Sequence, residues 1–149
     1  MAEWSANAVQ TVNPGEAVIF TETPVAPVTN LVRHRDDTGS FLLSGVSNGI
    51  FAGCPCKRPQ STNYRVSFSA NIAVPTGQTV GEIGIATQID GTTVPTSSAV
   101  VTPAAVEEFF NVSSDVDAQI WLGCCETVSV INNSPVPILV RNANLIIER

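Results

Sequence analysis

From Tyr64 to Ile72 the apolar residues fall on every second position, Tyr64, Val66, Phe68, Ala70 and Ile72 alternating with Arg65, Ser67, Ser69 and Asn71. Period two is the mark of a strand with one buried face. This strand opens the stretch around which the chain is organised, Thr62 to Pro103. After Pro75-Thr76-Gly77 the pattern resumes at Val80, Ile83, Ile85, Thr87 and Ile89. Asp90-Gly91 then predicts a two-residue hairpin turn, because both positions tolerate positive φ. The chain returns through Thr93-Val94 toward Val100-Val101.

Shorter segments of the same kind flank this stretch. Residues 8–12 form a short strand candidate stopped by the turn tripeptide Asn13-Pro14-Gly15. Residues 17–21 are rich in β-branched and aromatic side chains and run into Pro24 and Pro27, which cannot donate to a central ladder. Residues 30–35 and 40–45 read as strands joined by the turn Asp36-Asp37-Thr38-Gly39. Residues 48–60, punctuated by Gly49, Gly53, Pro55 and Pro59, predict a loop. Thr102 as cap and Pro103 at the first helical position predict a helical turn, while Phe109-Phe110-Asn111-Val112 fits a strand equally well. Residues 119–123, 127–131, 138–141 and 145–149 complete the set. Some eight to ten antiparallel strands with at most one short helical turn predict an all-β, single-domain jelly-roll sandwich over residues 1–149, with residues 1–14 an N-terminal arm or first short strand.

Composition adds an assembly habit. Charged residues make up 13% of the chain, about half the ~25% of an ordinary soluble domain. A surface so poor in charge is expected to be covered. No apolar run approaches the ~18 residues that cross a bilayer, so the expected cover is protein rather than membrane. The net charge of -6 opposes contact with a phosphate backbone and disfavours nucleic acid as a partner. At the N-terminus, Glu3 stands where a secretory signal needs basic residues, and no apolar stretch follows. The expectation is synthesis in a host cytoplasm without a signal peptide, and later release by lysis or within a particle.

Several segments in order resemble a family. Asn63-Tyr64-Arg65-Val66-Ser67-Phe68-Ser69-Ala70-Asn71-Ile72 looks like the strand of complement-globular-head and tumour-necrosis-factor-like jelly rolls in which Tyr and Phe alternate with small polar residues. Gly84-Ile85-Ala86-Thr87-Gln88-Ile89-Asp90-Gly91, Thr127-Val128-Ser129-Val130 and Ala143-Asn144-Leu145-Ile146-Ile147-Glu148-Arg149 resemble its later strands, so that the likeness covers residues 62–149. The stretches 13–24 and 33–45 are similar to small clostridial prophage virion proteins, and spore-fibre head domains share the same type of head. The resemblance implies a ten-stranded, tumour-necrosis-factor-like jelly roll that forms homotrimers by packing apolar faces around a threefold axis. Spore-fibre proteins carry a Gly-X-Y stalk, which this chain lacks, and that shifts the expectation toward a free-standing virion protein.

The residues that could carry chemistry are few. Cys54-Pro55-Cys56 and Cys124-Cys125 form two close pairs in two loops. If the loops meet, inter-loop disulfides, buried free thiols or a tetrahedral zinc site all fit, although one and zero intervening residues are fewer than structural zinc pairs usually have. No other cofactor is expected. His34, the only histidine, lies between Arg33 and Arg35 and before Asp36-Asp37; an aspartate-oriented base would need a nucleophile that the sequence does not supply, and a strand-edge residue in a mixed charge patch is the plainer reading. Asp36, Asp37, Asp115 and Asp117 offer oxygen ligands for calcium without EF-hand spacing, and read first as solvated turn carboxylates. Trp4 and Trp121 read as core or interface anchors, with Trp121 expected to be buried behind Ile120. Tyr64, Phe68 and Ile72, with Phe109 and Phe110, are candidates for the trimer interface or, equally, for the sandwich core.

No base–nucleophile or metal-catalytic constellation can be assembled, so the expected protein is not an enzyme. The expected function is that of a structural virion protein, a homotrimeric bacteriophage capsid decoration protein at the virion surface that stabilises or projects from the head. Its expected partners are itself and a capsid or other particle protein. The alternative is the receptor- or glycan-binding head of a tail fibre or of a spore- or cell-surface protein, reading its target through loops such as 49–60.

Overall fold

In the computed structural model, which describes residues 1–46 and 61–149, the alternating segments become strands. They are β1 (Ala2–Ala6), β2 (Gln10–Val12), β3 (Glu22–Val25), β4 (Val32–His34), β5 (Phe41–Ser44), β6 (Ser61–Ala73), β7 (Ile83–Ile89), β8 (Thr92–Thr93), β9 (Ala99–Val101), β10 (Phe110–Trp121), β11 (Cys125–Asn132) and β12 (Ile138–Glu148). The loop expected at 48–60, with Cys54 and Cys56, lies outside the described residues.

Two sheets face each other. The first runs β10-β6-β12-β1-β3, with β2 also pairing β12; the second runs β4-β5-β11-β7-β8, with β9 also pairing β7. All these pairings are antiparallel. β12 is the central strand of the first sheet, holding β6 on one side and β1 and then β2 on the other. The changeover from β1 to β2 falls at a bulge between Arg141 and Asn144, where Asn142 takes a φ of 50°. Asn tolerates that left-handed conformation better than most residues.

The alternation decides what lies between the sheets. Tyr64, Val66, Phe68, Ala70 and Ile72 of β6 are buried, as are Leu145 and Ile147 of β12, Val128 and Val130 of β11 and Ile83 and Ile85 of β7. An aromatic cluster locks the layers together. Trp4 meets Phe41 edge-on at 4.8 Å between centroids, Phe20 meets Phe41 at 5.4 Å, and Phe20 meets Phe68 at 6.3 Å. Such tilted contacts suit the ring quadrupole and add to the gain from burial.

The turns follow their chemistry. Asp90 and Gly91, with φ of 48° and 76°, close the β7–β8 hairpin, and Gly15 and Gly77 take positive φ in the two proline-glycine turns. Two segments depart from expectation. Residues 17–21 run extended but are not a ladder strand, because they cross from one sheet to the other: Val18 N–H donates to Val130 O of the second sheet and Thr21 N–H to Ser5 O of the first. Gln10 holds the intervening Ile19 by both backbone groups through its side-chain amide. Residues 102–109 form a turn and not a helix. The Glu108 carboxylate accepts from the Ala104 and Ala105 N–H groups, and Glu107 sits at a φ of 59°, which no right-handed helix accommodates. Residues 1–14 hold two strands, β1 inside the first sheet between β12 and β3 and β2 against β12.

One buried polar group ties the strand ends together. Asn132, 1% exposed, donates from Nδ2 to Val12 O and Val136 O and accepts the Ser134 N–H, all at 2.8–2.9 Å. Asn132→Ala leaves these backbone groups unpaired in a dry site. The expected cost is about 3 kcal/mol, from ~1 kcal/mol for each lost bond. Urea unfolding should show a lower midpoint at unchanged slope.

Candidate functional site

Strand β10 builds a site through its parity. Val112, Ser114, Val116, Ala118 and Ile120 are buried, so Asn111, Ser113, Asp115, Asp117, Gln119 and Trp121 must face outward. Trp121 is therefore 53% exposed, and the expectation that it would be buried is corrected: Ile120 takes the core position. Pairing with β6 sets Trp121 beside Ser61, Gln119 beside Asn63 and Asp117 beside Arg65. Gln119 donates from Nε2 to Ser61 Oγ at 2.9 Å, and Arg65 lies 3.9 Å from Asp115 in a solvent-exposed ion pair. Two shallow depressions of about 420 and 300 Å³ flank Asn63, which lines both.

This end of the sandwich is firmly held. The Cys124 N–H bonds Trp121 O across a turn in which Gly123 has a φ of 80°. The Gly45 N–H bonds Cys124 O, and a side chain at Gly45 would strike the Trp121 carbonyl. Thr62 Oγ1 accepts from Val46 N–H and donates to Val46 O, both at 3.0 Å. Tyr64 bridges the sheets by donating its hydroxyl to Ser44 O at 2.6 Å.

The candidate residues separate into three groups. Tyr64, Phe68 and Ile72 are 0–2% exposed inside the sandwich of a single chain, so they supply core and leave no side-chain surface for a neighbouring subunit. Phe109 is half-buried under the Arg141 guanidinium, 3.9 Å from its centroid, and Phe110 is 37% exposed at the far end of β10. Trp4 is core. His34 lies with Nε2 2.9 Å from Thr38 O and its ring stacked on Phe41 at 4.5 Å, a packing role. Cys124 and Cys125 are exposed free thiols at the β10–β11 turn, with Cys125 Sγ 3.5 Å from Ser44 Oγ, while their expected partners Cys54 and Cys56 lie outside the described residues. Among the described residues no three His, Cys, Asp or Glu side chains converge, and Asp36 and Asp37 stay in the β4–β5 turn away from Asp115 and Asp117 on β10.

The Trp121–Gln119–Asn63 row escaped the sequence reading. Its signal was present in the strict alternation of residues 111–121, but the expected burial of Trp121 set the parity wrongly there.

No protein-family model and no curated protein sequence matches the chain. Solved structures do. The globular domain of zebrafish complement 1qA protein aligns over 97% of this chain and 94% of its own length, with 12% identity and a TM-score of 0.59. The Eiger TNF structure from S. frugiperda aligns over 97% and 88%, with 9% identity and a TM-score of 0.62. A family 35 carbohydrate-binding module from an environmental isolate aligns at a TM-score of 0.39, too low to support an argument about fold or ligand. The architecture is thus an all-β jelly-roll sandwich of the complement-head and tumour-necrosis-factor type. At these identities the likeness extends to the fold alone.

Burial pushes the Tyr64 phenol above its ordinary value of 10.0, with Cys125 adding to the rise and Arg149 opposing it. The folded state therefore keeps the proton in a pH range where the unfolded chain has lost it. Tyr64's contribution to stability is full below pH 10 and is lost as pH rises through the folded-state value. Because Tyr64 is the only tyrosine, tyrosinate absorbance in the native protein should rise at higher pH than in denaturant. Tyr64→Phe should lose about 1 kcal/mol at neutral pH and show a smaller alkaline decline in unfolding midpoint than the parent.

Proposed function

We propose that this protein is a non-enzymatic structural head that assembles as a homotrimer, and that it sits on a bacteriophage capsid as a decoration protein reinforcing the shell. The observation that carries this reading is the outward face of the first sheet. Asn111 and Ser113 of β10, Ser67, Ser69 and Asn71 of β6, and Asn144 and Ile146 of β12 form neighbouring rows of mostly small, uncharged side chains, with Asp115, Arg141 and Glu3 at their margin across the ladder from Ser67, Asn71 and Ile146. On a sheet of this fold type, small uncharged side chains let a second subunit approach closely at little desolvation cost. The scarcity of charge, 13% of residues, supports the position on a particle.

A second reading, a binding head on a tail fibre or a spore or cell surface, is favoured by exposed Trp121 and Leu122 at the opposite end of β10. Neither reading requires a cofactor. Both place the protein outside the cell that makes it.

Light scattering should give a native mass of three times 15.7 kDa, unchanged by reductant. Ser69→Glu, which puts a charge in the middle of the patch, should yield folded monomers with an unaltered β-sheet circular dichroism signal. A monomeric parent protein would remove the trimer. The capsid position predicts co-purification with particles of the source phage, and absence from purified particles refutes it.

A further inference from the structure

We propose that the Trp121 end of the β6–β10 face is a binding platform for a neutral carbohydrate. The inference rests on the binding-head reading and assigns that reading a site. An indole left half open on a regular strand is unusual, because Trp usually buries most of its surface. Here its neighbours on the same face are not apolar. Ser61, Gln119, Asn63 and Asp117 offer a hydroxyl, two amides and a carboxylate within two rungs of the indole.

That set matches the chemistry of a pyranose. A sugar ring has a face of C–H groups, which packs against an aromatic plane, and a rim of paired hydroxyls, which planar amides and carboxylates engage through two atoms at once. Two depressions share Asn63, one lined also by Gln119 and Asp117 and the other by Ser61, the cross-strand partner of Trp121, and they give such a ring and its neighbours in an oligosaccharide a place along the rows next to the indole. The platform is also pre-formed. It stands on twelve consecutive antiparallel pairs between β6 and β10, and Gln119 is oriented by its bond to Ser61. Little ordering cost remains for the ligand to offset.

Charge selects within the class. Asp117 and Asp115 stand on the face, Arg65 between these rows is turned toward Asp115, and Arg149 lines the depression beside Ser61. The net charge is -6. Phosphorylated, sulfated or sialylated glycans and nucleic acids are therefore disfavoured.

The platform is compatible with a trimer. From Ser61 to Ser69 along β6 the rise is about 26 Å, at ~3.3 Å per residue. A subunit seated over Ser69 and Asn71 can leave Trp121 open.

The test uses the full chain on an array of cellohexaose, mannohexaose, chitohexaose, galactan oligomers and sialylated glycans. Titration of the best neutral binder follows, with the parent, Trp121→Ala and Asn63→Ala. The expected result is binding to a neutral oligosaccharide, weakened tenfold or more by Trp121→Ala and several-fold by Asn63→Ala, with native mass and circular dichroism unchanged. Of the two tryptophans Trp4 is buried, so acrylamide quenching reports Trp121, and the bound sugar should reduce it. Should Trp121→Ala misfold, Asn63→Ala and the quenching measurement decide. Retained affinity in folded variants, or unchanged quenching, overturns the platform and leaves the binding-head reading standing. Binding confined to sialylated glycans overturns the selection of a neutral ligand. No binding by the parent chain overturns both.

Discussion

The structure depends on one dry layer, the apolar seam between two sheets that the aromatic cluster of Trp4, Phe20, Phe41 and Phe68 closes at its centre. A strand in such a sandwich has no freedom in the assignment of its faces. Placing one residue in the seam sends both neighbours outward, and shifting the register by one position would reverse every assignment. Phe68 inside requires Ser67 and Ser69 outside; Ile120 inside requires Gln119 and Trp121 outside. The patch of small residues and the exposure of Trp121 are thus consequences of the packing that stabilises the fold. Neither is an independent addition to the surface.

The same seam explains how much of the molecule could be read from its sequence. β6 was legible to the residue, because five apolar side chains in strict alternation admit one interpretation. The β7–β8 hairpin was legible from Asp90-Gly91, whose backbone conformations few other pairs adopt cheaply. What failed was whatever depended on contacts distant in sequence. Ala17 to Thr21 has the composition of a strand, yet its backbone groups are divided between Val130 and Ser5 on different sheets. β1 carries no strong alternation, since Ala2, Trp4, Ser5 and Ala6 are all buried, and it is a strand because β12 and β3 hold it on either side. Residues 102–110 show the local competition most directly. Pro103 could start a helix, but the Glu107 N–H is taken by Val74 O of a neighbouring segment, and the turn closes instead.

The site was harder to read than the fold because it lies on the face where alternation constrains least. Inward positions are restricted by volume and polarity, so Tyr64, Phe68 and Ile72 could be recognised as buried, although their burial fits a core and an interface equally well until the chain is folded. Outward positions accept almost any residue. Two features there stand apart from an ordinary solvated face, the run of small hydroxyl and amide side chains and the open indole, and each acquires meaning from its cross-strand neighbours. Asn63 means little beside Tyr64 in the sequence. Beside Gln119 across the ladder, one rung from Trp121, it becomes part of a row of hydrogen-bonding groups.

That the two features occupy opposite ends of one sheet bears on how such a head would work. Self-assembly needs a broad surface whose burial is nearly free of desolvation cost, and small hydroxyl and amide side chains between Ser67 and Asn71 meet that need better than an exposed indole would. Ligand capture needs a few strong contacts on a rigid support that assembly leaves open. β6 and β10 supply both requirements because they are the two longest strands, at 13 and 12 residues, and remain paired along their shared length. Trimerisation over the small-residue end would carry three Trp121 platforms related by a threefold axis, and weak single sites fixed in that geometry bind a repetitive surface far more tightly than any one of them alone. A jelly roll with one long strand pair can in this way combine assembly and recognition on a single face.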